Sequence, residues 1–288
     1  MEHVIEIRSL RKEYKEFALK DISFDVPKGF ITGLIGPNGA GKTTIIKLLM
    51  NLVRRRNGTI TIFGLDNIED EVQIKDRIGF VYDSPYFYED LSLSAIKGMI
   101  APFYSQWDEQ QFQKLMTRFD LPKNKAFSSL SKGMKTKFAL VLALSHNADL
   151  IILDEPTAGL DPVFRREFLE MLGEIMLDAE KSVLFSTHIT SDLDRIGDYM
   201  IFVRNGEIVL TTSKVEVQER WGLVKSRSNF ITAETQNIIR GYRAREYGFE
   251  ALTTDLPKLR GVLSADALVE RPTIEDIIFF LDKGESHA

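Results

Sequence analysis

Gly36-Pro37-Asn38-Gly39-Ala40-Gly41-Lys42-Thr43-Thr44 fits the pattern GxxxxGK[ST], and its flanks decide the fold. Before it, Phe30-Ile31-Thr32-Gly33-Leu34-Ile35 is an apolar run of the length of a buried strand. After it, Thr43 through Val53 places apolar residues at helical spacing. Strand, glycine-rich turn and helix in that order make a phosphate cradle. The glycines let backbone N–H groups curl inward, and the helix N-terminus adds the positive end of its dipole. In such a cradle Lys42 reaches the β- and γ-phosphates of a nucleoside triphosphate. Thr43 sets its hydroxyl on Mg²⁺, a cation that keeps much of its water and takes few protein ligands.

Hydrolysis requires two further groups, a carboxylate for the metal and one that orients or deprotonates the attacking water. Leu150-Ile151-Ile152-Leu153 is a short, wholly apolar run ending in Asp154-Glu155-Pro156, as expected of a central parallel strand with two acids at its carboxyl end. The spacing assigns Asp154 to Mg²⁺, directly or through water, and Glu155 to the nucleophilic water, as general base or as the group that polarises it. A third apolar run, Ser182-Val183-Leu184-Phe185-Ser186-Thr187, ends in His188, a hydrogen-bond donor for the γ-phosphate.

Gly36–Thr44, Leu130-Ser131-Lys132-Gly133-Met134, Leu150–Pro156, Ala158-Gly159-Leu160-Asp161 and His188, in this order, resemble the nucleotide-binding subunit of an ATP-binding cassette (ABC) transporter. The resemblance covers about Met1 to Leu210, and its most specific element is the signature loop Leu130–Met134. It implies an α/β P-loop ATPase with an antiparallel β subdomain, a helical insertion and a small α+β C-terminal appendage. Its cofactors would be ATP and Mg²⁺. It further implies that Ser131 and Gly133 bind the γ-phosphate held by a second cassette, in a homo- or heterodimer, and that Tyr14 stacks on adenine. An integral membrane permease would be the other partner, which places the chain in the cytoplasm at the inner face of the membrane. Pro272–Phe280 is similar to the tail of single-cassette ATPases of bacterial exporters.

Three positions depart from the family pattern. Lys132 and Met134 replace a glycine and a glutamine of the commonest signature. Asp83, ending Ile78-Gly79-Phe80-Val81-Tyr82-Asp83, stands where the family has a glutamine that touches metal and water. An acid keeps an oxygen ligand there but is shorter, charged and no donor, so it would reach the metal through water. A subunit that binds nucleotide with little hydrolysis is one alternative opened by Asp83, though Glu155 and His188 argue against it. The other is a soluble cassette ATPase in cofactor assembly or DNA maintenance, working without a permease.

At 288 residues, with 44% hydrophobic and 27% charged residues, the chain carries one large core plus an appendage. No run approaches the ~20 apolar residues of a membrane helix, and Met1-Glu2-His3-Val4-Ile5-Glu6 lacks a basic region followed by an apolar core, so neither export nor membrane spanning is expected. The absence of cysteine excludes disulfides and thiolate metal sites. A net charge of −5 argues against a general nucleic-acid binder, and Arg54-Arg55-Arg56 reads as a solvated helix end.

Alternation from Val4 to about Pro27 predicts antiparallel strands with Tyr14 near a turn, and Thr59–Phe63 predicts another strand. The chain organises as an ATPase domain over 1–215, with a helical subdomain at about 92–147, and an accessory region over 216–288. Tyr82, Tyr86, Phe87 and Tyr88 precede the helical part, where the family meets its permease; they are interface anchors or core. In the accessory region Thr232 through Arg245 reads as a helix, and Thr273-Ile274-Glu275-Asp276 offers a capping box for a last helix.

Overall fold

Parallel strands buried on both faces read as unbroken apolar runs, and the runs singled out in the sequence occupy such strands. The computed structural model describes residues 1–245, 248–265 and 267–283. It divides into two units, Met1–His188 with Val203–Ile208, and Ile189–Phe202 with Val209–Ala288.

In the first unit β1 (His3–Glu13) and β2 (Ala18–Pro27) pair antiparallel around a turn in which Tyr14 N–H donates to Phe17 O at 2.7 Å. β3 (Ile31–Ile35), buried throughout, feeds the glycine loop, and α1 (Lys42–Leu49) leaves it. β4 (Asn57–Ile62) returns to β1, and β5 (Leu65–Asp66) completes a sheet of order β2-β1-β4-β5. α2 (Glu71–Asp76) leads into β6 (Ile78–Val81), and α3 (Leu93–Ile100), α4 (Glu109–Arg118) and α5 (Lys132–Ala143) follow. β7 (Leu150–Asp154), α6 (Pro162–Ile175) and β8 (Ser182–Thr187) complete the layers. The order β3-β8-β7-β6 is parallel, so the glycine loop, Asp154-Glu155 and His188 all emerge at the carboxyl ends of neighbouring strands.

In the second unit lie α7 (Thr190–Ile196), most of the hairpin β9 (Tyr199–Arg204) and β10 (Glu207–Ser213), and α8 (Lys214–Arg220). β11 (Gly222–Ser226), β12 (Ile239–Arg245), β13 (Gly248–Thr253), α9 (Leu256–Leu259), β14 (Leu268–Glu270) and α10 (Ile274–Lys283) follow. The antiparallel order is β12-β13-β11-β14, with a core of Val224, Phe230, Ala251 and Leu259. The box opening α10 is reciprocal: Asp276 N–H donates to Thr273 Oγ1 at 3.1 Å and Thr273 N–H to Asp276 Oδ2 at 2.9 Å.

Three local readings are corrected. The loop helix stops at Leu49, short of Val53, because Asn51 turns left-handed at φ +52° and Leu52 N–H closes back on Lys47 O. The arginines therefore do not end a helix. Arg55 pairs with Asp66 and Asn67, and Arg56 with Glu13, tying the loop to the antiparallel sheet. Residues 232–245 are not a helix but a short 3₁₀ turn, Gln236–Ile238, followed by β12. Pairing with β13 overrides the local pattern, and Gly241 lies where a Cβ would overlap the carbonyl of Phe280 on α10.

His146 joins the helical segment to the sheet, and no sequence signal marks it. Tyr104 stacks on its ring at 3.8 Å, Nε2 lies 3.0 Å from Ile78 O and Nδ1 3.3 Å from Leu142 O. A neutral ring has one N–H for these two acceptors. Burial pushes the imidazole pKa below its usual value, with Lys181 adding slightly; the two carbonyls and Asp76 pull the other way. Because the folded pKa is depressed, this stabilisation is complete above the unfolded value near ~6.5 and is lost as the pH falls from there towards the folded value. Denaturant midpoints at pH 7.5 and 5.5 should fall with acid in the wild type, and fall less in His146→Gln.

Candidate functional site

Two glycines explain why the loop can wrap an anion. A Cβ on Gly36 would overlap Val203 O, and one on Gly41, at φ +116°, would lie 2.7 Å from Leu19 Cδ2 and 2.8 Å from Phe17 Cζ. The loop is thus pressed between neighbouring backbone and side chains, with Pro37, Asn38 and Gly39 exposed at its crest and Gly36, Ala40 and Gly41 buried. Thr44 is partly buried in the first turn of α1. Lys42 is 5% exposed; its ammonium donates to Gly36 O at 2.7 Å and pairs with Glu155 Oε1 at 3.1 Å.

Around that ammonium the strand ends converge. Asp154 is fully buried, and its Oδ1 accepts from Ser186 Oγ at 2.6 Å and Thr43 Oγ1 at 3.2 Å. Among the described residues, Asp154 Oδ2 is buried and has no hydrogen-bond partner. Burial pushes the Asp154 carboxyl pKa up, against the pull of those two hydroxyls, and the charges on Asp83 and Glu155 add to the rise. A buried oxygen without a donor, beside the Thr43 hydroxyl and next to other acids, suits a hard cation with oxygen ligands. Glu155 sits at φ +48°, a conformation costing a non-glycine residue about 1–2 kcal/mol. Its Oε2 meets His188 Nδ1 at 2.7 Å, and the His188 backbone N–H approaches the same oxygen at 3.4 Å.

The remaining candidates are placed as follows. Tyr14 is 46% exposed at its turn, with the Lys12 ammonium 5.2 Å from the ring centroid. Asp83 is exposed just past β6 and makes no described hydrogen bond; its influence on the site is the charge felt by Asp154. Ser131 caps α5, accepting from Met134 N–H at 3.3 Å, and Gly133 is partly buried in the first turn. Among the described residues, no hydrogen bond or ion pair joins Ser131 or Gly133 to the Lys42–Asp154–Glu155–His188 group. Sequence reasoning missed Ser186, which appears there only as one residue of an apolar run. With Ser182 and Thr187 in the same run, its hydroxyl gives no distinguishing signal.

The model of the family described as ABC transporter matches residues 19–158. The bacitracin transport ATP-binding protein BcrA of Enterococcus faecalis is 32% identical over 223 residues, 76% of this chain and 72% of its own length. The chain belongs to the ABC transporter family. It is an ATP-binding, ATP-hydrolysing subunit. NatA of Bacillus subtilis, also an ABC transporter ATP-binding protein, is 31% identical over 67% of this chain and 80% of its own length. A solved ATP-binding subunit of an ABC transporter superposes with a TM-score of 0.68 at 29% identity, covering 75% of this subunit and 92% of that chain.

The packing at Gly36 makes a prediction for this ATPase. Gly36→Ala should lower ATP affinity and melting temperature more than Gly39→Ala, where nothing lies within 4 Å of an added Cβ and the cost is backbone strain at φ +80° alone. The clash at Gly36 is with backbone, which cannot swing aside, and overpacking of that kind costs about 1–3 kcal/mol. Calorimetric ATP titration and thermal melts of the two variants make the comparison.

Proposed function

We propose that this subunit hydrolyses MgATP as one half of a two-cassette sandwich and drives a separate membrane permease of a bacterial export-type system. The single observation carrying the chemistry is the convergence of Lys42, Asp154 Oδ2, Glu155 and His188 at the mouth of the glycine loop.

In this reading the loop N–H groups and Lys42 bind the β- and γ-phosphates. Thr43 Oγ1 and Asp154 Oδ2 would hold Mg²⁺, and Asp83 would act on it through water. When bound, the ion supplies charge neutralisation across the phosphates. A triphosphate competes with Glu155 for the Lys42 ammonium, freeing that carboxylate to take a proton from water. His188 holds Glu155 Oε2 by ring and backbone N–H, so that Oε1 is the oxygen turned to the water. Tyr14, exposed beside the loop's entrance strands, offers its face to adenine.

Ser131 and Gly133 stand apart from this group within one chain, which supports a second cassette as the source of the signature contacts. Two equivalent sites then follow from a two-fold interface. The permease reading rests on a different surface. Tyr86 and Tyr88 are 84% and 69% exposed and, with Phe87, Ile96, Met99 and Ile100, line a cleft of about 390 Å³. Exposed aromatics around an apolar cleft are what a helical element of a partner buries. No helix among the described residues is long and apolar enough to cross a membrane, so attachment at the inner face is assigned to the permease. The relatives' printed roles, such as bacitracin transport, support a transporter's ATP-binding subunit.

Glu155→Gln keeps shape and most hydrogen bonds but accepts no proton, so turnover should fall about 10²–10⁴-fold while ATP still binds. Light scattering should then show a dimer with ATP and not with ADP, and Ser131→Arg should abolish it. A Glu155→Gln protein hydrolysing at the wild-type rate contradicts the base assignment. For the permease, the double variant Tyr86→Ala with Tyr88→Ala should cut co-purified membrane subunit about tenfold or more, in line with the loss of two hot-spot anchors.

A further inference from the structure

We infer that Ser186 is a positioning residue for the acid pair: its single hydroxyl selects which oxygen of Asp154 faces the cation and holds the Glu155 backbone in its left-handed conformation. This rests on the assignment of Asp154 to the metal and Glu155 to the water.

Ser186 has one proton and two lone pairs to place. The proton goes to Asp154 Oδ1 at 2.6 Å, and a lone pair accepts from Glu155 N–H at 3.0 Å. Glu155 N–H, Ser186 Oγ–H and Asp154 Oδ1 therefore form one directed chain, in which each bond polarises the next. The chain cannot drift. Ser186 is fully buried and stands in register with Asp154 across β7 and β8. With Thr43 on the same oxygen, Oδ1 is saturated and Oδ2 is left without a donor, turned to a cation by subtraction. Remove the Ser186 hydroxyl and two things follow. The carboxylate loses its stronger anchor and can exchange its oxygens by rotating. The Glu155 N–H loses its described acceptor beside a residue at φ +48°, so the conformation that aims its side chain is no longer held.

A purely structural role for Ser186, as a satisfied buried hydroxyl between strands, predicts a different outcome, and metal dependence separates the two. Compare wild type, Ser186→Ala, Ser186→Thr and Asp154→Asn. In Ser186→Ala the affinity for ADP in EDTA should stay within about twofold, whereas Mn²⁺ affinity in the ADP complex, read by electron paramagnetic resonance, should fall about 10–100-fold as for other partners of a metal ligand. Turnover should fall in proportion with KM for ATP little changed. In the metal-free protein the Glu155 amide should exchange with deuterium at least about tenfold faster, the loss of one hydrogen bond to a buried group. Ser186→Thr, which keeps the hydroxyl, should restore each readout to within about threefold. If Ser186→Ala does not fold, Ser186→Cys keeps the volume with a weak donor and is read the same way. Wild-type Mn²⁺ affinity and amide exchange in Ser186→Ala, or an equal loss of ADP binding with and without metal, overturns the proposal. Unchanged Mn²⁺ binding in Asp154→Asn instead overturns the metal assignment itself.

Discussion

The parallel pairing of β7 with β8 is the constraint on which the rest of the site depends. Register places Asp154 against Ser186, so the two strands end together and deliver Asp154, Glu155 and His188 to one point. Because β3 pairs with the other side of β8, the glycine loop and Lys42 arrive at that same point. Strands of this kind are specified by burial on both faces, which a run such as Leu150–Leu153 satisfies. A one-residue slip would move each acid to the wrong face of the sheet.

The site carries stored cost in two places: Glu155 at positive φ, and Asp154 Oδ2 without a donor among the described residues. A sequence optimised only for stability would relax each of them. Their coincidence at the mouth of one phosphate cradle is what a function-bearing site looks like in energetic terms. Lys42 and His188 share the two oxygens of Glu155, so the base is oriented before any water arrives.

Much of this was legible in the chain. Gly36–Thr44, Leu150–Glu155 and Ser182–His188 each combine an apolar period with a chemistry-bearing terminus, and local pattern and fold agree there. What was not legible depends on distant partners. Residues 232–245 carry a helical pattern, yet pairing with β13 and the approach of Phe280 to Gly241 make them a strand. Asn51 ends α1 through a left-handed turn that the apolar spacing up to Val53 conceals. Ser186 and His146 are invisible for a related reason: a buried polar residue announces itself only once its acceptors are in place.

The central claim is that one chain gathers the phosphate-binding lysine, the metal carboxylate and the base at the carboxyl edge of its parallel sheet. A crystal structure with Mg²⁺ and a non-hydrolysable ATP analogue tests it most directly. The Lys42 ammonium should then lie on the β- and γ-phosphates, Mg²⁺ between Thr43 Oγ1 and Asp154 Oδ2 directly or through one water, and Glu155 within reach of a water in line with the γ-phosphate. Phosphates bound away from the Gly36–Thr44 loop, or a metal held on Asp154 Oδ1 with Oδ2 still unpartnered, would contradict the account.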